Sequence, residues 1–189
     1  MTAEYKMKLP AVELENAVGQ AKVTLEKAKE QVGSIPNMYA VMVNYPDLLE
    51  TYLDGYRRFR KTSNFDAIEQ EIVFLAISAA NGCEYCVAAH SMIAERSKVP
   101  AESVQAIRSG SKIADAKLSA LAVFVRFMTE GRGMPTNANV KDFLAAGYTE
   151  HHILEIVLAI SVKVISNYSN HLFHTPVDAP FAAYAWKKS

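Results

Sequence analysis

Apolar positions recur every three to four residues along almost the whole chain, and no run of period-two alternation between hairpin turns stands out, so the pattern predicts an all-α protein. Val12 to Val32 reads as a charged, Ala-rich helix stopped by Gly33. Pro36 and Pro46 can each open a helix, the first short and the second running through LLETYLDGYRRFRK. Asp66 is placed to cap a segment through Ala80, Asn81-Gly82 is a turn signal, and a further helix runs from about Cys83 to Lys98, closed by Val99-Pro100. Ala101 to Ser109, Asp115 to Glu130, Asn137 to Ala146 and Thr149 to about His174 follow, separated by SGSK, GRGMPTN and Gly147-Tyr148. Helix follows helix with short joints, and no low-complexity linker divides the chain.

Composition narrows this to a single domain over 1–189 with a sizeable core, since half of the 189 residues are hydrophobic. Within it the pattern separates an N-terminal helical extension (1–33), a unit over 34–100 and a second unit over 101–189. Twenty basic and twenty acidic residues leave no electrostatic footprint for nucleic acid or an anionic membrane, which points to a small-molecule or protein partner. No apolar run near the amino terminus is long enough for a signal peptide, and the most apolar stretch, Ile153 to Ile165, is interrupted by Glu155 and Lys163. A soluble, cytoplasmic protein is expected.

The chemistry-bearing feature is Cys83 and Cys86, the only two cysteines, three residues apart, with His90 four residues on and Glu71 twelve residues before the first. On a helix the two thiols share a face with Cα atoms about 5 Å apart, inside the window of about 4.4 to 6.8 Å from which a disulfide closes. Cys86 and His90, at i and i+4, are neighbours on the same surface. On one unbroken helix Glu71 lies roughly 18 Å from Cys83, out of reach. If Asn81-Gly82 folds the chain into a hairpin, Glu71 comes level with His90, which suggests a relay from Glu71 through His90 to Cys86. The helix dipole competes with that ordering, because Cys83, nearer the amino end, gains more thiolate stabilisation. Blander readings are two buried, inert cysteines, or a zinc site for which Cys83, Cys86 and His90 supply three of four ligands. No cofactor or metal is expected.

The chain also repeats itself. Glu71-Ile72-Val73 laid over Glu155-Ile156-Val157 puts Cys83 on Asn167, Cys86 on Asn170 and His90 on His174. Two Leu/Ile/Val-rich helices can match by coincidence. As a true repeat, the second half is a thiol-free relative of the first, with Asn167 and Asn170 making buried hydrogen bonds where the thiols stand.

The run from Glu71 through NGCEYCVAAH to His90 resembles the signature of the alkylhydroperoxidase D-like, peroxidase-related proteins of the carboxymuconolactone decarboxylase family. SIPNMYAVMVNYPDLLETYL and ISNYSNHLFHTPVD extend the likeness over most of Ser34 to Ala182. The resemblance implies an all-α bundle of two related helical units in a homo-oligomer, a dimer, trimer or hexamer. It implies thiol-dependent reduction of an alkyl hydroperoxide or hydrogen peroxide in antioxidant defence, with Cys86 peroxidatic, Cys83 resolving, Glu71 and His90 the proton relay, and an external thiol or dithiol as reductant. Some members carry a histidine just before the second cysteine; here that position is Tyr85, so its role does not carry over. Two other functions fit the same residues: a lactone decarboxylase using His90 and Glu71 alone, against which the retained cysteines argue, and a non-catalytic redox-sensing oligomer. His151-His152 reads as the polar start of a helix, His171 and His174 as locally satisfied, Arg57 to Lys61 as a charged helix end with one buried ring, and FAAYAWKKS as an aromatic tail packed on the domain or on a neighbouring subunit.

Overall fold

The computed structural model describes residues 3–188; Met1, Thr2 and Ser189 lie outside the described residues. Among the described residues there are nine α-helices: α1 (Gly19–Val32), α2 (Asn37–Met42), α3 (Pro46–Thr62), α4 (Ala67–Ala80), α5 (Glu84–Arg96), α6 (Ala101–Ser109), α7 (Ala116–Glu130), α8 (Asn137–Ala145) and α9 (Glu150–Phe173). Short 3-10 helices at Leu14–Asn16 and Ala179–Tyr184 complete the set, and no strand occurs among the described residues.

The central element is α4. Asp66 accepts from Glu69 N–H at 2.8 Å while the Glu69 carboxylate accepts from Asp66 N–H at 3.2 Å, a reciprocal cap that fixes where the helix starts. Every residue from Glu69 to Ser78 is buried, because α5, α7 and α9 pack around this one helix. The predicted turn at Asn81-Gly82 forms, with Gly82 at φ +70°, a value that favours glycine. The chain then reverses into α5. Opposite, Phe143 stacks between Phe124 and Tyr148 at centroid distances of 4.2 and 4.6 Å, joining α7 and α8 to the core.

A second apolar cluster unites α1 to α3 with the thiol loop. It contains Leu25, Ala28, Met42, Leu49, Tyr52, Cys83, Cys86 and Val162, so α1 packs with α2 and α3 in the same cluster as the cysteines. Gly55 lets α3 approach α9, since a Cβ there would stand 2.8 Å from a Val162 methyl. α9 has the length and composition to cross a membrane; it packs one face, with Ile156, Ala159 and Val162 buried, against α3 and α4, while Leu154 and Val157 stay exposed.

Two features of the helices differ from the sequence reading. The expected helix from Val12 is broken: residues 14–16 make one 3-10 turn, and α1 begins only at Gly19, whose φ of +57° takes the backbone out of the right-handed helix. Cys83 is the N-cap of α5, with extended backbone, rather than its first turn. The helix expected over Thr149 to about His174 forms as α9: Ile165-Ser166 stands where Asn81-Gly82 breaks the first copy of the repeat, and α9 runs through unbroken. His171 and His174 are not satisfied locally as read: His174 Nε2 meets the distant Ala3 carbonyl, and His171 Nε2 is buried without a hydrogen-bond partner among the described residues. His152 closes a capping box with Thr149, and His174 ends α9 in left-handed conformation. Phe59 is the buried ring of the charged helix end. In the tail, Trp186 donates to the Arg108 carbonyl at 2.8 Å.

Candidate active site

The turn brings all four sequence-predicted residues into one buried cluster. Cys83, Cys86, His90 and Glu71 are each at most 3% exposed, and both cysteines are free thiols. As the N-cap, Cys83 Sγ accepts from the Cys86 backbone N–H at 3.4 Å. α9 supplies the opposite wall. Asn170 Nδ2 donates to Cys86 Sγ at 3.3 Å, with Cys83 Sγ at 3.8 Å, and Ser166 Oγ lies 3.9 Å from Cys86 Sγ.

Glu71 and His90 meet as the hairpin requires, with Nδ1 2.9 Å from a carboxylate oxygen. A carboxylate only accepts, so Nδ1 carries the proton and Nε2 presents its lone pair. Among the described residues the hydrogen bonds of His90 stop there; none reaches Cys86 directly. The second Glu71 oxygen is ion-paired with Arg60, whose guanidinium also donates to Tyr56 Oη at 2.7 Å and lies over the Phe74 ring at 4.7 Å. Arg60 therefore does more than end a charged helix: it neutralises a carboxylate that is wholly buried.

Electrostatics separates the two thiols. Burial alone raises Cys86, but the Cys83 S–H, the Lys163 ammonium, the neighbouring His90 and Ser166 outweigh it and hold Cys86 well below the ordinary thiol range. Cys83 moves well up, first through burial and then because a second negative charge would form beside the first. The pair therefore loses its first proton at Cys86, opposite to the expectation from the helix dipole alone. His90 is lowered to about 4, mainly by burial and secondarily by Lys163, so it is neutral at pH 7. A neutral imidazole cannot be the stabilising cation, which leaves that part to Lys163. For Glu71, burial pushes upward, but the His90 hydrogen bond and the charges of His90 and Arg60 leave it lowered.

Lys163 is the residue that the sequence reading missed. It is 1% exposed on α9, pairs with no carboxylate among the described residues, and holds its Nζ 5.7 Å from the Phe74 ring centroid. Its only sequence signal was a cation interrupting an apolar stretch. Ser166 gave none.

A pocket of about 140 Å³ opens onto Cys86, His90 and Lys163. Four tyrosines, Tyr39, Tyr52, Tyr56 and Tyr85, line it together with Phe181, Met38 and Val32. Tyr85 reaches out of the thiol loop to hydrogen-bond Asp178, and its ring meets Phe181 edge-on at 6.0 Å, so the C-terminal segment forms one side of the mouth. No three of His, Cys, Asp and Glu converge to hold a metal ion among the described residues, and the zinc reading finds no fourth ligand.

The model of the carboxymuconolactone decarboxylase family matches residues 46–126. Among solved structures, the chain is similar to an alkylhydroperoxidase AhpD core, an uncharacterized peroxidase-related protein from Ralstonia eutropha JMP134 (20% identity, TM-score 0.79, covering 95% of this chain and 96% of that one). It is similar to the debrominase Bmp8, solved with 2,3,4-tribromopyrrole as a cysteine-to-alanine variant (18%, TM-score 0.76, 95% and 96%). A further match is an uncharacterized peroxidase-related protein from Silicibacter sp. TM1040 (18%, TM-score 0.73, 93% and 95%). No curated protein sequence matches. At these identities the structures establish the fold, that of an alkylhydroperoxidase D-like core, and the segment that matches the carboxymuconolactone decarboxylase family model carries Glu71, Cys83, Cys86 and His90 together.

Proposed function

We propose that the protein is a thiol-dependent peroxidase working through a Cys83–Cys86 disulfide cycle. The observation that carries this reading is the split between the thiols: an anionic Cys86 facing the pocket, with a protonated Cys83 against it. A thiolate is the nucleophile that peroxide needs, and the retained thiol is the partner that resolution needs.

In the first step Cys86 Sγ attacks the terminal oxygen of ROOH; an S–O bond forms, the O–O bond breaks, and RO⁻ leaves as Cys86–SOH is made. Because Cys86 attacks as the thiolate, RO⁻ takes its proton from solvent; His90 Nε2 serves as the base that takes the Cys83 thiol proton in the next step and returns it to the departing hydroxide, while Glu71 on Nδ1 stabilises the transient imidazolium. Cys83 then displaces hydroxide, which leaves as water, and the Cys83–Cys86 disulfide forms. An external dithiol restores both thiols by exchange. Lys163 stabilises the thiolate and takes no part in proton transfer.

Peroxide consumption by the reduced protein with dithiothreitol tests this. The expected result is turnover in the wild type, none in Cys86→Ser, and a single equivalent consumed by Cys83→Ser, with a dimedone adduct on Cys86 alone. A dimedone label on Cys83 instead, or lactone turnover that survives both substitutions, would overturn it. The aromatic lining and the likeness to the debrominase favour a second reading, reduction of a small aryl bromide, in which ArBr and two thiols give ArH, HBr and the same disulfide. Bromide release with dithiothreitol separates the two.

A further inference from the structure

The charges around the pocket close on themselves. Arg60 is paired with Glu71, and the Cys86 thiolate answers Lys163. His90 spends its Nδ1 on Glu71 and is neutral. Asp178, behind Tyr85 at the mouth, is held by the Tyr85 hydroxyl and the Asn37 backbone N–H at 3.0 Å. Reduced and empty, the site therefore offers no unanswered cation to an anionic ligand.

Cys86, His90 and Lys163 are the ionisable groups of the pocket other than its tyrosines. The Tyr56 and Tyr85 hydroxyls are already bonded to Arg60 and Asp178, so these two side chains give the pocket mainly ring surface. Tyr39 and Tyr52 add an edge-on pair at 5.9 Å. The volume, about 140 Å³, is close to that of an engineered cavity of about 150 Å³ that holds benzene. Hydrogen peroxide would leave these walls uncovered, and a long acyl chain would outrun them.

Resting on the peroxidase reading for its chemistry, we infer that the substrate is a neutral, ring-sized hydroperoxide: an aryl-alkyl hydroperoxide whose O–OH group is its only polar part, turned toward Cys86, with the ring held among the tyrosines. It is preferred over hydrogen peroxide, over a long-chain lipid hydroperoxide and over any anionic analogue.

Two measurements on the full chain test this, one without chemistry. In calorimetric titration of the reduced wild type, 2-phenyl-2-propanol, the alcohol left by cumene hydroperoxide, binds saturably, and 4-isopropylbenzoate binds at least about tenfold more weakly because its carboxylate meets no free cation. Cys86→Ser, which removes the thiolate and leaves Lys163 unanswered, reverses that order; adding Lys163→Met abolishes the anion's gain. In turnover with dithiothreitol, kcat/KM for cumene hydroperoxide exceeds that for hydrogen peroxide and for linoleate hydroperoxide by about tenfold or more. Equal binding of the benzoate to the reduced wild type, no saturable binding of the alcohol, or equal turnover of the three peroxides overturns the inference while the peroxidase reading stands. Binding with the expected neutral preference but no turnover of any peroxide removes the peroxidase reading and leaves the ligand class in place.

Discussion

The α4–α5 hairpin and α9 carry the same register of Glu, two short polar residues and His, yet one breaks at its centre and the other does not. In the hairpin, Asn81-Gly82 turns the chain so that residues 19 positions apart meet, and Glu71 reaches His90 at 2.9 Å. In α9 the equivalent Glu155 and Asn167 lie three turns apart on one rod. Glu155 instead ties down Asn64 at 3.0 Å, and His174 ends the helix, with its Nε2 2.7 Å from the Ala3 carbonyl oxygen. A similar series of side chains thus makes a reactive cluster when folded and a wall when straight. The wall completes the site: Lys163, Ser166 and Asn170 face Cys86 from α9, while Asn167 accepts from Asn81 at 2.9 Å and anchors the turn itself.

The hairpin's share of the chemistry is broken most completely by Cys86→Ser, for which loss of turnover by about 10³-fold or more is expected, since a serine hydroxyl is not ionised at pH 7. Cys83→Ser keeps the first step and stops the cycle, so a burst without steady turnover distinguishes it. If Cys86→Ser retains steady peroxide consumption, the division of labour between the two thiols is wrong.

Most of the fold was legible because helices announce themselves locally: Asp66, Asp115 and Thr136 cap, Gly33 and Gly110 stop, and Pro46 opens. The meeting of Glu71 and His90 was legible for the same reason, because a turn and two helix rises fix it without any knowledge of tertiary packing. What was hidden is what arrives from far along the chain. Lys163 and Ser166 are about 80 residues from Cys86 and look like an interruption and a helix-neutral residue. Arg60 sat inside a run of four cations, and nothing local told it from the exposed Arg57 and Arg58, which share Asp54. The asparagines were noticed only through the repeat, which foresaw their buried hydrogen bonds but not that one would be made to the thiols.

The next test concerns pH. His90 has a folded value of about 4 against 6.5 unfolded, so the unfolded chain binds a proton first as pH falls. Its contribution to stability is intact above about pH 6.5 and is lost between there and about pH 4, a change of roughly 3 kcal/mol. Glu71, lowered in the folded state, acts in the same direction but later: its contribution is present above the unfolded value of 4.5 and disappears as pH falls through the folded one. Denaturant titrations of wild type and His90→Gln across this range should show a flatter pH dependence in the variant, with the remainder traceable to His171, which is also lowered by burial. Parallel curves would mean that His90 is not held neutral by its surroundings.

On the α9 side, Lys163→Met separates stability from chemistry. Removing a buried cation that has no carboxylate partner, in favour of an apolar chain of similar length, should leave stability at pH 7 unchanged or raised. The same change removes the charge answering the thiolate, so thiolate absorbance at 240 nm should titrate about one unit higher, a roughly tenfold loss of thiolate over the pH range below the pKa. A less stable variant with an unmoved thiol titration would make Lys163 a packing residue and return the stabilising charge to the hairpin.

Asn170 gives the finest contrast, because the repeat makes it the counterpart of a cysteine and the structure makes it a donor to one. Its amide offers a dipole rather than a charge, so Asn170→Leu should shift the same thiolate titration upward by less than Lys163→Met, in keeping with about 1 kcal/mol for one lost hydrogen bond. Met38 shares that amide at 3.2 Å, and leucine can repack against it, so the loss of stability stays small. A scaffold residue, by contrast, would cost stability and leave the titration where it was. The order Lys163 before Asn170 follows from charge before dipole at the same sulfur. An Asn170→Leu shift as large as that of Lys163→Met would mean that the amide, and not the ammonium, is what α9 contributes to the thiolate.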